Sequence, residues 1–285
     1  MSSLTERLRA HAEGRLEPAV PRLAATVVLL RDGASAPEAL LLRRRSTMPF
    51  APGMHAFPGG RVDPGDRDLL PLLPPGTAEQ LAARLGGDLD PETAAAALGA
   101  ALRETFEEAG ALLLPGPAPV TEDDRRALAA HETTLAALLT RLGRTPDPAL
   151  LRPWARWITP EFEPRRYDTL FFVARLPQDA PHRVDDGESD HSLWTTPEAA
   201  VRESEQGRLA MLPPTLTALR ELAGFRTAAD ALRAADDRPL APVTPRATLQ
   251  GDALRLEWDG PTPGSEVRRL PPGTPSASAT PGSPA

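Results

Sequence analysis

The chain has 285 residues, and its 32 basic residues, all of them Arg, are outnumbered by 39 Asp and Glu, for a formal net charge of −7 at pH 7. Lys and Cys are absent, which excludes a P-loop lysine, a Schiff base, a thiol nucleophile, a thiolate metal site and a disulfide. The negative charge argues against nonspecific binding to nucleic acid or to an anionic membrane.

The N-terminal part of the chain predicts neither a membrane span nor a signal peptide. No apolar run approaches the ~18 residues of a spanning helix, and MSSLTERLRAHAEG carries charges of both signs. We therefore predict a cytoplasmic protein. Residues 1–21 are a polar lead-in with a short helix over 4–11. The apolar and β-branched runs at 23–32 and 38–45 flank a Gly/Pro break, which predicts an antiparallel strand pair.

A long helix follows an irregular region. Residues 67–89 look like an insertion with a short helix over 77–85, and we expect this segment on the surface, outside the catalytic frame. Asp90 is a suitable N-cap, Pro91 suits the first helical position, and Gly110 suits the C-terminal end. The pattern therefore predicts a helix from Pro91 to Gly110.

The rest of the chain alternates between strand and helix patterns. We predict strands over 111–114, 156–160, 167–176 and 192–195, and helices near 122–142, 197–206 and 214–222. Strands mixed with helices in this order indicate an α/β domain, which we place at 22–236. A small appendage with a strand pair occupies 237–270. The last fifteen residues, 271–285, contain only Pro, Gly, Ser, Thr and Ala, a composition that predicts a disordered tail.

Three carboxylates share one face of the predicted long helix. At ~100° per residue, Glu104, Glu107 and Glu108 fall in one sector, opposite Leu98, Leu102, Phe106 and Ala109. Like charges at this spacing repel one another, so a positive group should compensate them. Oxygen ligands without a neighbouring His or Cys suit Mg²⁺ or Mn²⁺, and Arg103 lies one turn before Glu107. The alternative is a solvated acidic helix face.

These residues resemble the Nudix box, G-x5-E-x7-R-E-U-x-E-E-x-G-U, in which U is apolar. Gly60 of the segment FPGG matches the first glycine, and RETFEEAG, residues 103–110, matches the second half. Asp66 stands where the pattern has Glu, and Thr105 and Ala111 replace bulky apolar residues. Between Asp66 and Arg103 lie 36 residues instead of seven. A loop between the glycine turn and the helix tolerates such an insertion at small entropic cost.

One branch of the family, the peroxisomal CoA diphosphatase type (Nudix motif 19), carries an interruption of this kind. The similarity extends over roughly residues 22–222. It implies an αβα Nudix sandwich with a mixed sheet, and a hydrolase that cleaves a diphosphate linking a nucleoside to another moiety. CoA or a CoA ester is the leading substrate; ADP-ribose, NADH and dinucleoside polyphosphates remain open. The rival interpretation is a nucleotide-sensing Nudix-fold protein without catalysis.

The resemblance also implies roles for individual residues. Glu104, Glu107 and Glu108 would bind Mg²⁺ or Mn²⁺ with the Gly59 carbonyl, and Arg103 would serve catalysis beside them. We favour Glu107 as a metal ligand that also acts as general base. Glu188 is the alternative base.

Arginine clusters at two strand ends are candidate phosphate grips, since guanidinium binds phosphate bidentately. We assign Arg45, Arg165 and Arg166, with Gly60, to substrate binding; ion pairs at strand ends are the alternative. Trp154 and Trp157 are expected in the core rather than stacked on adenine. The expected partner is a small-molecule nucleotide, and a homodimer is one predicted assembly.

Overall fold

A mixed sheet with helices on both faces forms the centre of the computed structural model, which describes residues 4–48, 51–86, 89–176, 189–250 and 253–269. Its strands are β1 (Arg22–Asp32), β2 (Pro37–Arg44), β3 (His55–Ala56), β4 (Gly59–Arg61), β5 (Leu151–Ile158), β6 (Tyr167–Arg175) and β7 (Ser189–Thr195). A second, three-stranded sheet contains β8 (Arg246–Gln250), β9 (Ala253–Trp258) and β10 (Gly264–Arg269).

Eight helices are described: α1 (Leu4–Ala12), α2 (Thr77–Leu85), α3 (Pro91–Ala109), α4 (Glu122–Ala129), α5 (Leu135–Leu142), α6 (Pro197–Glu205), α7 (Pro213–Leu222) and α8 (Ala228–Asp236). A 3₁₀ segment, Pro64–Leu72, precedes α2. Among the described residues, none of the helices combines the length and apolar character that crossing a bilayer requires.

The central sheet forks at the glycine turn, the FPGG segment at residues 57–60. Its strand order is β3-β2-β1-β6-β5, with β4 paired to β1 and β7 paired to β2. β1 runs parallel to β6 and antiparallel to β2 and β4. Residues 30–32 of β1 pair with β2, whereas residues 24–26 pair with β4. Residues 42–43 of β2, beyond its pairing with β1, pair with β3, and residues 39–44 of β2 pair with β7. The turn joining β3 to β4 therefore lies at the fork.

Two hydrophobic cores cover the two faces of the sheet. Alternate residues of β1 divide between them: Val27 and Leu29 face the core that contains α2, α3 and α5, while Val28 and Leu30 face the core that contains α7 and α8. This division follows from the two-residue period of a strand. It confirms the predicted α/β architecture with helices on both faces.

The segment 67–89 is not the surface insertion that was expected, because several of its described residues belong to the core. Leu69 of the 3₁₀ segment and Leu81 and Leu85 of α2 are all buried, and they pack in the same core as α3. The side chain of Arg156 on β5 donates to the Leu85 carbonyl at 3.4 Å. The short helix over 77–85 was predicted with its observed bounds, but the surface placement was wrong.

Three other expectations need correction. Residues 111–114 are buried but form no strand, and the helix predicted near 122–142 is two helices separated by a turn at 130–134. The region 237–270 contains three strands rather than a pair, and Leu254, Leu256 and Trp258 are buried in the core of the main domain. Trp154 and Trp157 are in the core, as expected. The tail 271–285 lies outside the described residues.

Candidate functional site

Helix α3 brings the carboxylates to the glycine turn. The Asp90 side chain accepts a hydrogen bond from the Thr93 N–H at 2.7 Å, and Pro91 begins the helix. Gly110 ends it in the left-handed conformation, with φ 65°. Leu98, Leu102 and Phe106 are buried in the core. These contacts fix the axial rotation of the helix, which points Glu104, Glu107 and Glu108 toward β4.

Arg103 lies at the centre of the site. Its Nε and Nη2 bind the two carboxylate oxygens of Asp66 at 2.9 and 3.0 Å. Its Nη1 donates to Glu104 Oε1 at 2.8 Å and to Glu107 Oε2 at 3.1 Å. Nη2 also donates to the Arg61 carbonyl of β4 at 2.9 Å. One guanidinium therefore joins the long helix, strand β4 after the glycine turn and the 3₁₀ segment.

Two glycines allow the turn to approach the carboxylates. The Gly59 N–H donates to Glu108 Oε2 at 2.8 Å. A Cβ on Gly60 would lie 2.2 Å from Glu104 Oε1, and a Cβ on Gly59 would lie 2.5 Å from the Ala25 carbonyl. Any larger residue would have to displace Glu104 or the backbone of β1. The two glycines of the FPGG segment are therefore needed for steric reasons, in addition to their place in the family pattern.

The polar residue within the box is accommodated by a local hydrogen bond. Thr105 is fully buried, at a position where the family pattern has a bulky apolar residue, and its Oγ1 donates to the Ala101 carbonyl at 2.7 Å. Such a bond to the preceding turn satisfies a buried hydroxyl inside a helix. Ala111 is also fully buried. These two departures from the pattern leave the carboxylate face intact.

The single positive charge of Arg103 does not offset all the carboxylates that surround it. Burial raises the pKa of Glu107 to about 7, although Arg103 opposes the shift. Burial also raises the pKa of Glu104 to about 7, with repulsion from Glu107 adding to it. Burial alone would lower the pKa of Arg103, but its hydrogen bond to Asp66 and the charges of the glutamates raise it above its ordinary value. An additional cation would relieve this imbalance.

The residues fit a divalent cation by chemistry. Glu107 Oε1 is buried and has no hydrogen-bond partner among the described residues, so one oxygen of the cluster is available as a ligand. The donors are hard carboxylate oxygens, which Mg²⁺ and Mn²⁺ prefer. Across the described ranges, however, no three His, Asp or Glu side chains are grouped as they would be around a metal ion. Glu104 and Glu107 bind Arg103 instead, and Glu108 binds the Gly59 N–H.

The arginines assigned to substrate binding differ in their surroundings. Arg45, after β2, and Arg165, before β6, are exposed. Arg166 is buried; its Nε donates to the Thr159 carbonyl and its Nη1 to the Ala19 carbonyl, both at 2.9 Å. These contacts favour a structural role over the predicted phosphate contact, because the guanidinium ties the N-terminal segment to the sheet. Glu188, the alternative base, lies outside the described residues.

Sequence reasoning missed two contributors to the site. Asp63 lies 3.8 Å from Arg103 and marks the start of the 3₁₀ segment. Arg125 of α4 donates from Nη1 to the Glu107 carbonyl at 2.6 Å, which holds the last turns of α3. Asp63 could have been found from the sequence, because it follows the FPGG segment by only three residues. Arg125 could not have been found in this way, because only the packing of α4 brings it to the long helix.

Comparison with known proteins places these features in a family. A family model described as the NUDT19 Nudix domain matches residues 21–222. The Gallus gallus protein named acyl-coenzyme A diphosphatase NUDT19 is 32% identical over 278 residues, covering 77% of this chain and 73% of that protein. The Homo sapiens protein of the same name is 31% identical over 240 residues, covering 67% of this chain but only 62% of the human protein.

A solved structure shares the architecture. The crystal structure of a Nudix hydrolase from Alicyclobacillus acidocaldarius superposes with a TM-score of 0.64 at 33% identity, covering 75% of this chain and 96% of that one. The fold described above therefore recurs in an experimental structure of related sequence.

Proposed function

We propose a function for this chain, which belongs to the Nudix hydrolases, in the branch described by the NUDT19 Nudix domain. It cleaves the diphosphate of CoA or of a CoA ester with Mg²⁺ or Mn²⁺. The products would be 3′,5′-ADP and a phosphopantetheine. The observation that carries the proposal is the buried cluster of Arg103 with Glu104 and Glu107, complete beside the glycine turn. The chicken and human relatives named acyl-coenzyme A diphosphatase support the choice of substrate.

The reaction requires water to attack a phosphorus that is already surrounded by negative oxygens. One P–O bond forms, the bridging P–O bond breaks, and the water's proton passes to a base. Nudix hydrolases generally use a divalent metal; when bound, it neutralises phosphate charge and lowers the pKa of its water. Glu104, Glu107 and Glu108 would hold this metal. Glu107, with its unpartnered buried oxygen, is the proposed ligand that also accepts the proton.

The surrounding residues keep these carboxylates in position. Arg103 binds Glu104 and Glu107 through one nitrogen, so it sets the spacing between their oxygens. The Gly59 N–H holds Glu108, and the missing side chain of Gly60 leaves room for Glu104. Arg45, exposed at the end of β2, is the proposed contact to a phosphate outside the scissile diphosphate. CoA carries such a phosphate on its ribose, whereas ADP-ribose and NADH do not.

The proposal is tested with a panel of CoA, acetyl-CoA, ADP-ribose, NADH and a dinucleoside polyphosphate, incubated with Mg²⁺ or Mn²⁺ and resolved by chromatography. CoA or its ester should give 3′,5′-ADP at the highest kcat/KM. Glu107→Gln should lower turnover by at least a hundredfold while the far-UV spectrum stays unchanged. Full turnover in excess chelator, or by Glu107→Gln, would contradict the metal assignment. Preferential cleavage of ADP-ribose or NADH would contradict the substrate.

A glycine pair tests the geometry of the turn. Gly60→Ala places a methyl group within 2.2 Å of Glu104 Oε1, so we expect kcat to fall at least tenfold as Glu104 moves. Gly224→Ala is the matched control, because a Cβ there meets nothing within 4 Å. Equal activity of the two variants would show that Glu104 can move without loss. The cytoplasmic location and the homodimer remain predictions.

A further inference from the structure

A cleft opens beside Arg103 and is lined in part by Asp63 and Gly65. It has a volume of about 380 Å³ and lies between the 3₁₀ segment Pro64–Leu72 and the loop that joins α4 to α5. Arg103 and Asp66 form part of its lining. Its volume is at the lower end of the ~300–1,000 Å³ of small-molecule sites. It therefore adjoins the proposed reaction centre and is large enough for part of a substrate.

Close packing at two glycines fixes the positions of the walls of this cleft. A Cβ on Gly65 would lie 2.9 Å from Thr134 Cγ2, at the start of α5. A Cβ on Gly99 of α3 would lie 2.7 Å from the Asp66 carbonyl. The 3₁₀ segment is thus pressed against both helices at positions where only glycine fits. A cleft framed by such contacts is preformed, which lowers the entropic cost of binding.

His131 stands at the edge of the cleft in an uncommon conformation. It has φ 56°, in the left-handed region, where a helix more often ends in glycine. The turn is held by the His131 N–H on the Leu128 carbonyl and the Glu132 N–H on the Ala127 carbonyl, both at 2.9 Å. The imidazole is 70% exposed, and its Nδ1 lies 3.7 Å from Asp63 Oδ2. These two hydrogen bonds form a common helix C-terminal turn, which fixes the backbone of His131 at the edge of the cleft.

The chemistry of the lining favours an uncharged ligand. Asp66 is neutralised by Arg103, but the Asp63 carboxylate is partly exposed and would repel a phosphate. Asp63 can accept hydrogen bonds from hydroxyl and amide groups, and Thr133 can donate to a carbonyl. Leu128 and Leu135 line the cleft but are only 1% and 2% exposed, so polar groups dominate its accessible surface.

We propose that this cleft binds the neutral arm of the substrate, the amide- and hydroxyl-bearing chain on the far side of the diphosphate from the nucleoside. This inference rests on the proposed function and deepens it. It assigns a role in substrate selection to residues 63–66 and to the loop that joins α4 to α5. A substrate without such an arm would leave the cleft empty and lose its contribution to binding.

The first test uses the full wild-type chain and pantetheine, a phosphate-free probe. Pantetheine should shift the imidazole proton signals of His131, assigned with His131→Asn, whereas 3′,5′-ADP should not. His11 of α1 is the internal control and should stay unchanged with both probes. An unmoved His131 signal at saturating pantetheine would overturn the proposal. If His131 shifts but CoA is not hydrolysed, the cleft stands and the proposed function fails.

The second test fills the cleft. Thr133→Trp should weaken pantetheine binding at least tenfold and raise KM for CoA by a similar factor, while 3′,5′-ADP binding stays within twofold. Glu132→Trp, at the exposed neighbouring position outside the lining, is the matched control and should behave as wild type. Unchanged pantetheine binding by folded Thr133→Trp would overturn the proposal. Should that variant not fold, the His131 titration of the wild-type chain decides.

Discussion

Asp66 supplies two of the acceptors that hold the central guanidinium, and its side chain is only 2% exposed. It also accepts the Asp63 N–H at 2.8 Å. The residue is one carbon shorter than the Glu of the family pattern, yet it reaches Arg103 because the 3₁₀ segment lies directly on α3. At the scale of single residues, the stability of the site therefore depends on a buried ion pair.

Asp66→Asn should destabilise the fold strongly. The substitution removes the main anionic partner of a buried Arg, and breaking such a pair costs about 3–5 kcal/mol. Arg67→Gln is the control, since Arg67 pairs with Glu92 at 2.7 Å in an exposed position, where a pair contributes about 1 kcal/mol or less. Urea unfolding of the two variants checks this. Similar losses in both would mean that Arg103 finds other partners.

Arg166→Gln should reduce stability without changing substrate preference. The shorter side chain leaves the Thr159 and Ala19 carbonyls without their donor, at a cost of about 1–3 kcal/mol. The ratio of kcat/KM for CoA to that for dephospho-CoA should stay at the wild-type value. Arg165→Gln, the exposed neighbour, should leave stability unchanged. A changed ratio in a fully stable Arg166→Gln protein would return this residue to the substrate site.

At the scale of elements, the 67–89 segment is part of the structural frame. Leu69, Leu81 and Leu85 are buried against α3, and Arg84 donates to the Ala235 carbonyl of α8 at 2.6 Å. Helix α2 therefore bridges edge strand β5 and links the two helical layers. The entropic tolerance of loops for added length does not make this insertion removable.

Leu85→Ala in α2 should cost about 2–5 kcal/mol, the usual range for a fully buried leucine. Gln80→Ala, on the exposed face of the same helix, should change stability by no more than about 0.5 kcal/mol. Replacing 67–89 with a short linker should yield an insoluble chain. A soluble shortened protein that still hydrolyses a diphosphate would show that the core closes without the segment.

At the scale of the whole molecule, the C-terminal sheet completes the second core. The Trp258 ring packs edge-on against Trp157 with centroids 5.7 Å apart. Glu221 of α7 accepts from Trp154 Nε1 at 2.8 Å, from Arg238 at 2.6 Å and from Thr262 at 2.6 Å. Residues on both sides of the boundary at 237 thus share one polar network. The region 237–270 is packed onto the domain rather than appended to it.

Truncation after Asp236 should expose this core and lower the melting temperature by at least 10 °C or cause aggregation, because Trp157 and Trp154 lose their cover. Truncation after Leu270, which keeps all three strands, should leave melting temperature and turnover unchanged. Differential scanning fluorimetry and the diphosphatase assay check both chains. Wild-type stability of the shorter chain would mean that the sheet contributes nothing to the core.

Much of the fold follows from neighbours along the chain. Asp90, Pro91 and Gly110 marked the ends of α3 because capping acts over a few residues. The spacing of Glu104, Glu107 and Glu108 placed them on one face because a helix repeats every 3.6 residues. The family, the α/β class and the hydrolase activity were correctly predicted from such local patterns. Helix α8, although Thr227 is a suitable N-cap, and strand β10 were not predicted.

Only the tertiary structure decided which polar residues are partners and which segments are core. Asp66 and Arg103 are 37 positions apart, and Arg166 reaches a carbonyl 147 positions away. Composition shows that residues 111–114 are apolar, but a buried segment forms a strand only where a neighbouring strand pairs with it. By itself the sequence determined the family, the shared carboxylate face of the box and the caps of α3, since these depend on local spacing. The roles of Arg166, the 67–89 segment and the C-terminal sheet depend on contacts between distant residues, which only the packed molecule brings together.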